Sequence, residues 1–525
     1  MHRLPVRSRR LRGAVLAGVA AFAAALTGCA GLPPGAASPR PVSVRLAAAE
    51  TTALGSRMTR AAVAHDGHSG FRIITPGVDG LLVRAQMIAA AERTLDLQYY
   101  IFRGDVTGRL ITDGLVRAAD RGVRIRVLVD DGDTMSGDEQ VLALSAHPGI
   151  EVRVFNPFVY RGHANALRAL EFMFNARRLD YRMHNKLLVV DNAVALVGGR
   201  NIGDQYFQID PESQLADDDV FAAGPVADQL AATFDEYWNS GLAIPAAALH
   251  HARAPRAEVA PTTEFDAQIA TGEPYAGMIS GRLPLVWAPA HVVCDSPHKK
   301  QVASGERAGR LMNPAVLAAA GATRSELLMV TPYFIPAPEE LQLLRDLRQR
   351  QVRVGILTNS LEATPGVFAQ SGYLRYRMPM VQEGVELFEA RSLLGSSRGS
   401  GQTARISRHG NYALHAKLFV FDRQQLFVGS MNFDKRSRHL NTEVGLIIDS
   451  PELAVQTVAR FTAMVQPQNS YLLSLRPSGV GGTPRLYWHT EEDGWTVDYL
   501  REPARSAWQR LEVRALALLP VGNEQ

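Results

Sequence analysis

His184-Asn185-Lys186-Leu187-Leu188-Val189-Val190-Asp191, trailed by the glycine turn Gly198-Gly199-Arg200-Asn201, is the stretch that decides the fold. Its pattern, His-x-Lys-x-x-x-x-Asp, returns at His415-Ala416-Lys417-Leu418-Phe419-Val420-Phe421-Asp422, with Gly429-Ser430-Met431-Asn432 behind it. Residues two apart on a strand project to the same face, so the His and Lys of each copy point together. Asp191-Asn192 and Asp422-Arg423 then carry the composition of a hairpin turn. The returning strands, Ala193–Val197 and Gln425–Val428, bring the asparagine back beside the His and Lys. Two copies with the same tail, 231 residues apart from 184 to 415, predict one site built from two related halves.

Working outward, the first half reads as a helix over Leu82–Arg93, a strand over Leu95–Ile101, a helix over Thr107–Arg121 and a strand over Val123–Val129. Gly122 supplies the helix stop between the last two. The second half repeats this plan with a strand at Leu327–Val330, a helix at Glu339–Arg350 and a strand at Val352–Leu357. Alternation of this kind predicts an α/β fold: two fused α/β/α repeats related by a pseudo-twofold axis, each a mixed sheet flanked by helices. The expected division is a leader over 1–28, a tether and entry segment over 29–70, a first domain over 71–244 and a linker or insert over 245–310. A second domain over 311–465 and a C-terminal extension over 466–525 complete it. Asp295-Ser296-Pro297-His298-Lys299 reads as a surface loop of the linker, with a loop lying over the site as the alternative, and the Ser/Gly run Leu393–Gly401 as a loop before the second motif. Trp488, Trp495 and Trp508 read as packing aromatics of the extension.

At 525 residues, 46% hydrophobic and 21% charged, the chain has the bulk for two cores and the composition of a globular protein. Its pI near 9.0 suggests an anionic polymer as partner, but the basic balance sits in the leader. Arg3, Arg7, Arg9, Arg10 and Arg12 precede the apolar run Ala14–Leu26, the pattern of an export signal. Removing residues 1–28 takes away five arginines and no acid, so the formal charge goes from +4 to −1. That weakens a nucleic-acid reading. Leu26-Thr27-Gly28-Cys29 resembles a bacterial lipobox, so Cys29 is the expected lipidation site. Ala30 after it resembles lipoproteins sorted to the outer membrane, on its periplasmic side. With Cys29 lipidated, Cys294 has no partner and no disulfide framework is expected.

Two lysines and two asparagines suit an anionic substrate with tetrahedral oxygens, such as a phosphodiester. Of two imidazoles, one can attack phosphorus while the other protonates the leaving alcohol and later deprotonates the acceptor. His184, Lys186, Asn201, His415, Lys417 and Asn432 are therefore the chemical set. An attacking imidazole needs a carboxylate to fix its tautomer. Glu443 before Val444 and Asp219 before Val220 are assigned to that task, with Ser430 of the glycine turn as further support. Asp191 and Asp422 are assigned to the turns. A metal is disfavoured because a lysine on the same face repels a divalent cation, and no cofactor is expected.

These residues resemble the phospholipase D superfamily, whose signature is the duplicated His-Lys-Asp motif, and within it the periplasm-facing bacterial cardiolipin synthases. Leu97-Gln98-Tyr99-Tyr100-Ile101-Phe102, Gly372-Tyr373-Leu374-Arg375-Tyr376-Arg377, Asn432-Phe433-Asp434-Lys435-Arg436-Ser437 and Asn441-Thr442-Glu443 are similar to segments of that group. Gln370 departs from it, standing where a histidine is often found. The resemblance implies transfer of a phosphatidyl group through a phosphohistidine, with His184 the nucleophile and His415 the acid/base. It implies phosphatidylglycerol and phosphatidylethanolamine as substrates at a membrane surface. Hydrolysis to phosphatidic acid by the same residues, a lipid-anchored nuclease and an inactive envelope scaffold are the rival readings.

Overall fold

The computed structural model describes residues 35–132, 143–162, 164–210, 212–249, 277, 280, 282–392, 412–477 and 483–518. Cys29, the expected export signal and the run Leu393–Gly401 lie outside the described residues.

Leu187–Val190 is continuously apolar because both faces of its strand are covered. Leu188 and Val190 face an outer core with Leu81, Met87, Ile111 and Leu115 from the helices Gly77–Ala90 and Val106–Asp120. Leu187 and Val189 face a second core that contains Leu328, Val330, Leu418 and Leu446 of the other half. The motif strand of the second half alternates likewise, Leu418 and Val420 toward the shared core, Phe419 and Phe421 toward an outer one. Two mixed sheets thus enclose a common layer that includes residues of the helices Pro225–Trp238 and Pro451–Met464.

The first sheet runs Val286–Ala288, Ser69–Ile74, Asp219–Ala223, Val194–Gly198, Lys186–Val190, Thr94–Tyr99, Arg124–Asp130, Ile150–Phe155, Ala243–Pro245. The second runs Ala290–Cys294, Val444–Asp449, Gln425–Gly429, Leu418–Phe421, Glu326–Val330, Arg353–Asn359, Glu386–Ala390, and then Ser470–Pro477, Pro484–Glu492 and Trp495–Tyr499. From Ser69–Ile74 and Ala290–Cys294 onward the two orders match strand for strand, so the repeat extends well beyond the motifs. In both, strands that follow crossover helices are parallel and motif hairpins antiparallel.

Three segments differ from their sequence reading. Residues 286–294, inside the expected linker, form edge strands of both sheets, with Pro289 the only residue between them. The Asp295–Lys299 stretch is buried rather than a surface loop. Asp295 accepts from Lys299 Nζ at 2.8 Å, Met312 N and Glu443 N, and these donors compensate the burial of its charge. Of the C-terminal tryptophans, Trp488 packs and donates to Glu389 Oε2 at 2.9 Å, but Trp495 and Trp508 are 77% and 72% exposed. They lie on an edge strand and a terminal helix, whose outer faces the core does not reach.

Asp191 and Asn192 have φ of 52° each, and Asp422 and Arg423 have φ of 53° and 55°, so both motif hairpins close through left-handed turns. The Asp191 carboxylate accepts from the backbone N–H groups of Glu92, Arg93 and Thr94. Asp422 accepts from those of Arg324, Ser325 and Glu326. Each aspartate ties its turn to the start of the neighbouring strand. Asp191→Ala is expected to lower the unfolding free energy by about 3 kcal/mol in a denaturant titration, since it orphans buried donors. The folded fraction should keep its specific activity; lost activity at unchanged stability would give Asp191 a chemical role instead.

Candidate active site

His184 follows Met183, which bridges Thr442 of the other half, and His184 N donates to Thr442 O at 2.9 Å. His415 follows the short strand Tyr412–Leu414, paired in parallel with Gln214–Ala216, and its N–H donates to Ala216 O. The residue after each pairing partner then meets the histidine. Glu443 follows Thr442 and holds His184 Nδ1 at 2.9 Å; Asp217 follows Ala216 and holds His415 Nδ1 at 2.5 Å. Each imidazole therefore takes its carboxylate from the opposite half. With Nδ1 protonated toward a carboxylate, Nε2 is left as the nucleophilic or basic nitrogen.

Asp219 does not support a histidine. Its carboxylate accepts from Arg84 Nη1 at 2.9 Å and Arg200 Nη1 at 3.0 Å, all three side chains being buried. Sheet register explains the correction: Gly198 pairs with Asp219 as Gly429 pairs with Gly445, so the counterpart of Glu443 is Asp217, two residues earlier. The shared carboxylate–valine sequence at 219–220 and 443–444 is misleading. The triplet Asp217-Asp218-Asp219 held the answer, but only strand pairing selects among its members. Gly199 belongs to this arrangement as well, since a Cβ there would lie 2.1 Å from Asp217 Oδ1. Ser430, its neighbour by alignment of the turns, instead donates to Glu443 Oε2 at 2.5 Å, and Ser437 donates to Oε1 at 2.7 Å.

Lys186 and Lys417 are buried within electrostatic range of each other and of both histidines. Lys186 Nζ donates to His184 O at 2.6 Å, and Lys417 Nζ donates to His415 O. Rings of Tyr100 and Tyr206 stand edge-on to His184 and His415 at 5.1 and 5.3 Å. Tyr206 is not singled out by the sequence, and Tyr100 stands there only within the Leu97–Phe102 segment of the resemblance. Asn201 is largely engaged in bracing, accepting from Ile101 N and donating to the Tyr206 hydroxyl at 2.9 Å. Asn432 keeps a buried side-chain oxygen with no partner among the described residues.

Burial and Lys417 push His415 down to about 3, and burial with both lysines holds His184 well below the usual imidazole range. Burial lowers Lys417 to about 8 and lifts Glu443 to about 7, while Asp217, against its burial, is held low by His415 and Lys417. Near neutral pH the site thus presents neutral imidazoles and at least one ammonium, the charge pattern for a phosphodiester.

Residues 85–238 and 316–465 match the family model described as cardiolipin synthase, PLD-like domain. The chain belongs to this family. It is 36% identical over 474 residues to cardiolipin synthase C of Escherichia coli strain K12, covering 87% of this chain and 96% of that protein. It is 26% identical over 396 residues to the major cardiolipin synthase ClsA of Bacillus subtilis strain 168, covering 74% and 67%. Among solved structures, the phosphatidylserine synthase of Haemophilus influenzae Rd KW20 superposes with a TM-score of 0.53 at 16% identity, over 79% of this chain and 92% of that one. That likeness is one of fold.

Two outcomes are expected from these contacts. Asp217→Asn should cut the turnover of the folded fraction by on the order of 100-fold or more. Asp219→Asn should instead destabilise by about 3 kcal/mol, because two buried guanidiniums lose their anion; the reverse pattern would restore Asp219 as a histidine partner. The kcat/KM profile should rise through about pH 7 as Glu443 ionises and fall through about pH 8 as Lys417 loses its proton. A profile that lacks both limbs would contradict the assignment.

Proposed function

We propose that the protein is a phosphatidyltransferase that makes cardiolipin from phosphatidylglycerol and a donor phospholipid. His184 Nε2 attacks the donor phosphorus, the bond from phosphorus to the head-group oxygen breaks, and His415, protonated at Nε2 as well as at the Asp217-bound Nδ1 while the anionic donor occupies the site, gives that oxygen its Nε2 proton. A phosphohistidine remains. His415 then takes the proton of a glycerol hydroxyl of phosphatidylglycerol, whose oxygen attacks phosphorus while the P–N bond breaks and frees His184. Glu443 and Asp217 keep each imidazole in the reactive tautomer, and Lys186 and Lys417 compensate the charge that develops on the non-bridging oxygens. The observation that carries this reading is the pair of histidine–carboxylate contacts across two halves of a chain 36% identical to a cardiolipin synthase over 96% of its length. No metal has a part in the mechanism, and the donor is phosphatidylglycerol or phosphatidylethanolamine.

The site is proposed to work in the periplasm, tethered through lipid on Cys29, with the outer membrane favoured by Ala30. Among the described residues no helix is long and apolar enough to cross a membrane, so anchoring is assigned to the segment before them. In liposomes of phosphatidylglycerol, with and without phosphatidylethanolamine, mass spectrometry should find cardiolipin, abolished by His184→Ala and by His415→Ala. Phosphatidic acid alone would make the enzyme a phospholipase, and DNA cleavage without lipid turnover would sink the lipid reading. Cys29→Ser should release the protein from membranes in cell fractionation.

A further inference from the structure

The C-terminal helix Ala507–Ala517 turns the fully buried Val513 and the half-buried Leu516 inward. At 100° per residue, Trp508, Leu511, Ala515 and Leu518 fall on the side opposite Val513. That side is open: Trp508 is 72%, Leu511 57% and Leu518 87% exposed. A helix with a second, outward apolar stripe has more apolar surface than this fold buries, and exposed tryptophan and leucine at such spacing mark a contact surface rather than scattered surface residues. Four arginines, Arg501, Arg505, Arg510 and Arg514, lie in and just before the helix, against two acids. One of those acids, Glu502, is buried on Arg377, which leaves Glu512 as the exposed one. Arg505 and Arg510 turn to the Glu362 and Glu502 carbonyls, while the exposed Arg514 borders the stripe and supplies its cation.

The helix is fastened to a turn that is connected to the site. Gln509 Nε2 donates to Leu361 O at 2.7 Å and Arg505 Nε to Glu362 O at 2.6 Å. Both carbonyls belong to the turn that follows the strand Arg353–Asn359. Asn359 at the end of that strand exchanges two hydrogen bonds with Leu414, the residue before His415. A short covalent and hydrogen-bonded path thus links the stripe to one of the two imidazoles. Phe368, near the start of the helix Val367–Gln382 that packs against it, is also exposed, at 56%.

We propose that this helix is an interfacial docking element, its Trp508–Leu511–Leu518 stripe seated among the acyl chains of an anionic phospholipid bilayer and Arg514 at the phosphates. An anionic bilayer satisfies both features at once, since the stripe needs an apolar phase and Arg514 a sheet of negative charge. Choice of a lipid as occupant rests on the proposed phosphatidyltransferase reading. Docking here brings the site to where its substrates lie, a role distinct from the anchor at the other end of the chain.

The test uses the full chain on vesicles of phosphatidylglycerol and phosphatidylcholine with brominated acyl chains, which quench a tryptophan only when it enters the bilayer. Part of the quenching should vanish in Trp508→Phe, and Leu511→Ser with Leu518→Ser should abolish the Trp508 share. The same pair should slow turnover on vesicles by roughly ten-fold, from the apolar area withdrawn from the bilayer, and leave turnover of short-chain, monomeric phosphatidylglycerol unchanged. Arg514→Glu should weaken the response to phosphatidylglycerol by about five-fold. Unchanged quenching in Trp508→Phe, or equal loss on monomeric lipid, would overturn the proposal. So would a self-association of the free protein that disappears in the leucine pair, because the stripe would then belong to a second copy. Quenching at Trp508 without any lipid turnover would keep the docking surface and defeat the phosphatidyltransferase reading.

Discussion

Each histidine of the site is held by a carboxylate from the opposite half, and the rest of the arrangement depends on that exchange. Glu443 reaches His184 only because Thr442 bridges Met183, and Asp217 reaches His415 only because Gln214–Ala216 pairs with Tyr412–Leu414. Neither half alone has an oriented imidazole. Backbone hydrogen bonds between the halves fix the position of both contacts, and the shared core of the two sheets keeps those bonds in place. Two lysines, two histidines and two carboxylates can be buried together because each charge has a partner at hydrogen-bond distance or in electrostatic range.

The pseudo-twofold symmetry of the fold does not extend to the chemistry. Glu443 receives hydroxyl donors from Ser430 and Ser437, while Asp217 sits against Gly199, which has no side chain to offer one. Burial leaves Glu443 raised to about 7 in spite of those donors, whereas His415 and Lys417 hold Asp217 low. Two imidazoles in nearly the same backbone setting thereby differ in how firmly a negative charge stands behind them. Such a difference is what a nucleophile and an acid/base require of each other when they share one phosphate.

Around this centre the fold distributes simpler tasks. Asp191 and Asp422 close hairpins, Asp219 neutralises two buried arginines, and Asp295 with Lys299 supports the Glu443 backbone from below. Acidic residues close to the motifs thus divide into those that hold backbone, those that pair cations and those that face an imidazole. Their sequence neighbourhoods do not tell them apart.

Much was legible in the amino-acid sequence. The repeated His-x-Lys-x-x-x-x-Asp pattern implied two related halves, because a periodic strand followed by turn residues has few ways to fold. Strand and helix positions around both motifs followed from hydrophobic spacing, and the chemical set followed from what a phosphodiester needs. Tertiary structure alone decided which carboxylate serves which histidine: Asp217 and not Asp219, and each across the halves. It alone turned Asp295–Lys299 from a surface loop into a buried ion pair, joined residues 286–294 to both sheets and left Trp508 outside. The division has a physical reason: local patterns are set by neighbours along the chain, whereas a carboxylate's partner is set by pairing between segments 198 and 259 residues apart, which no local pattern encodes.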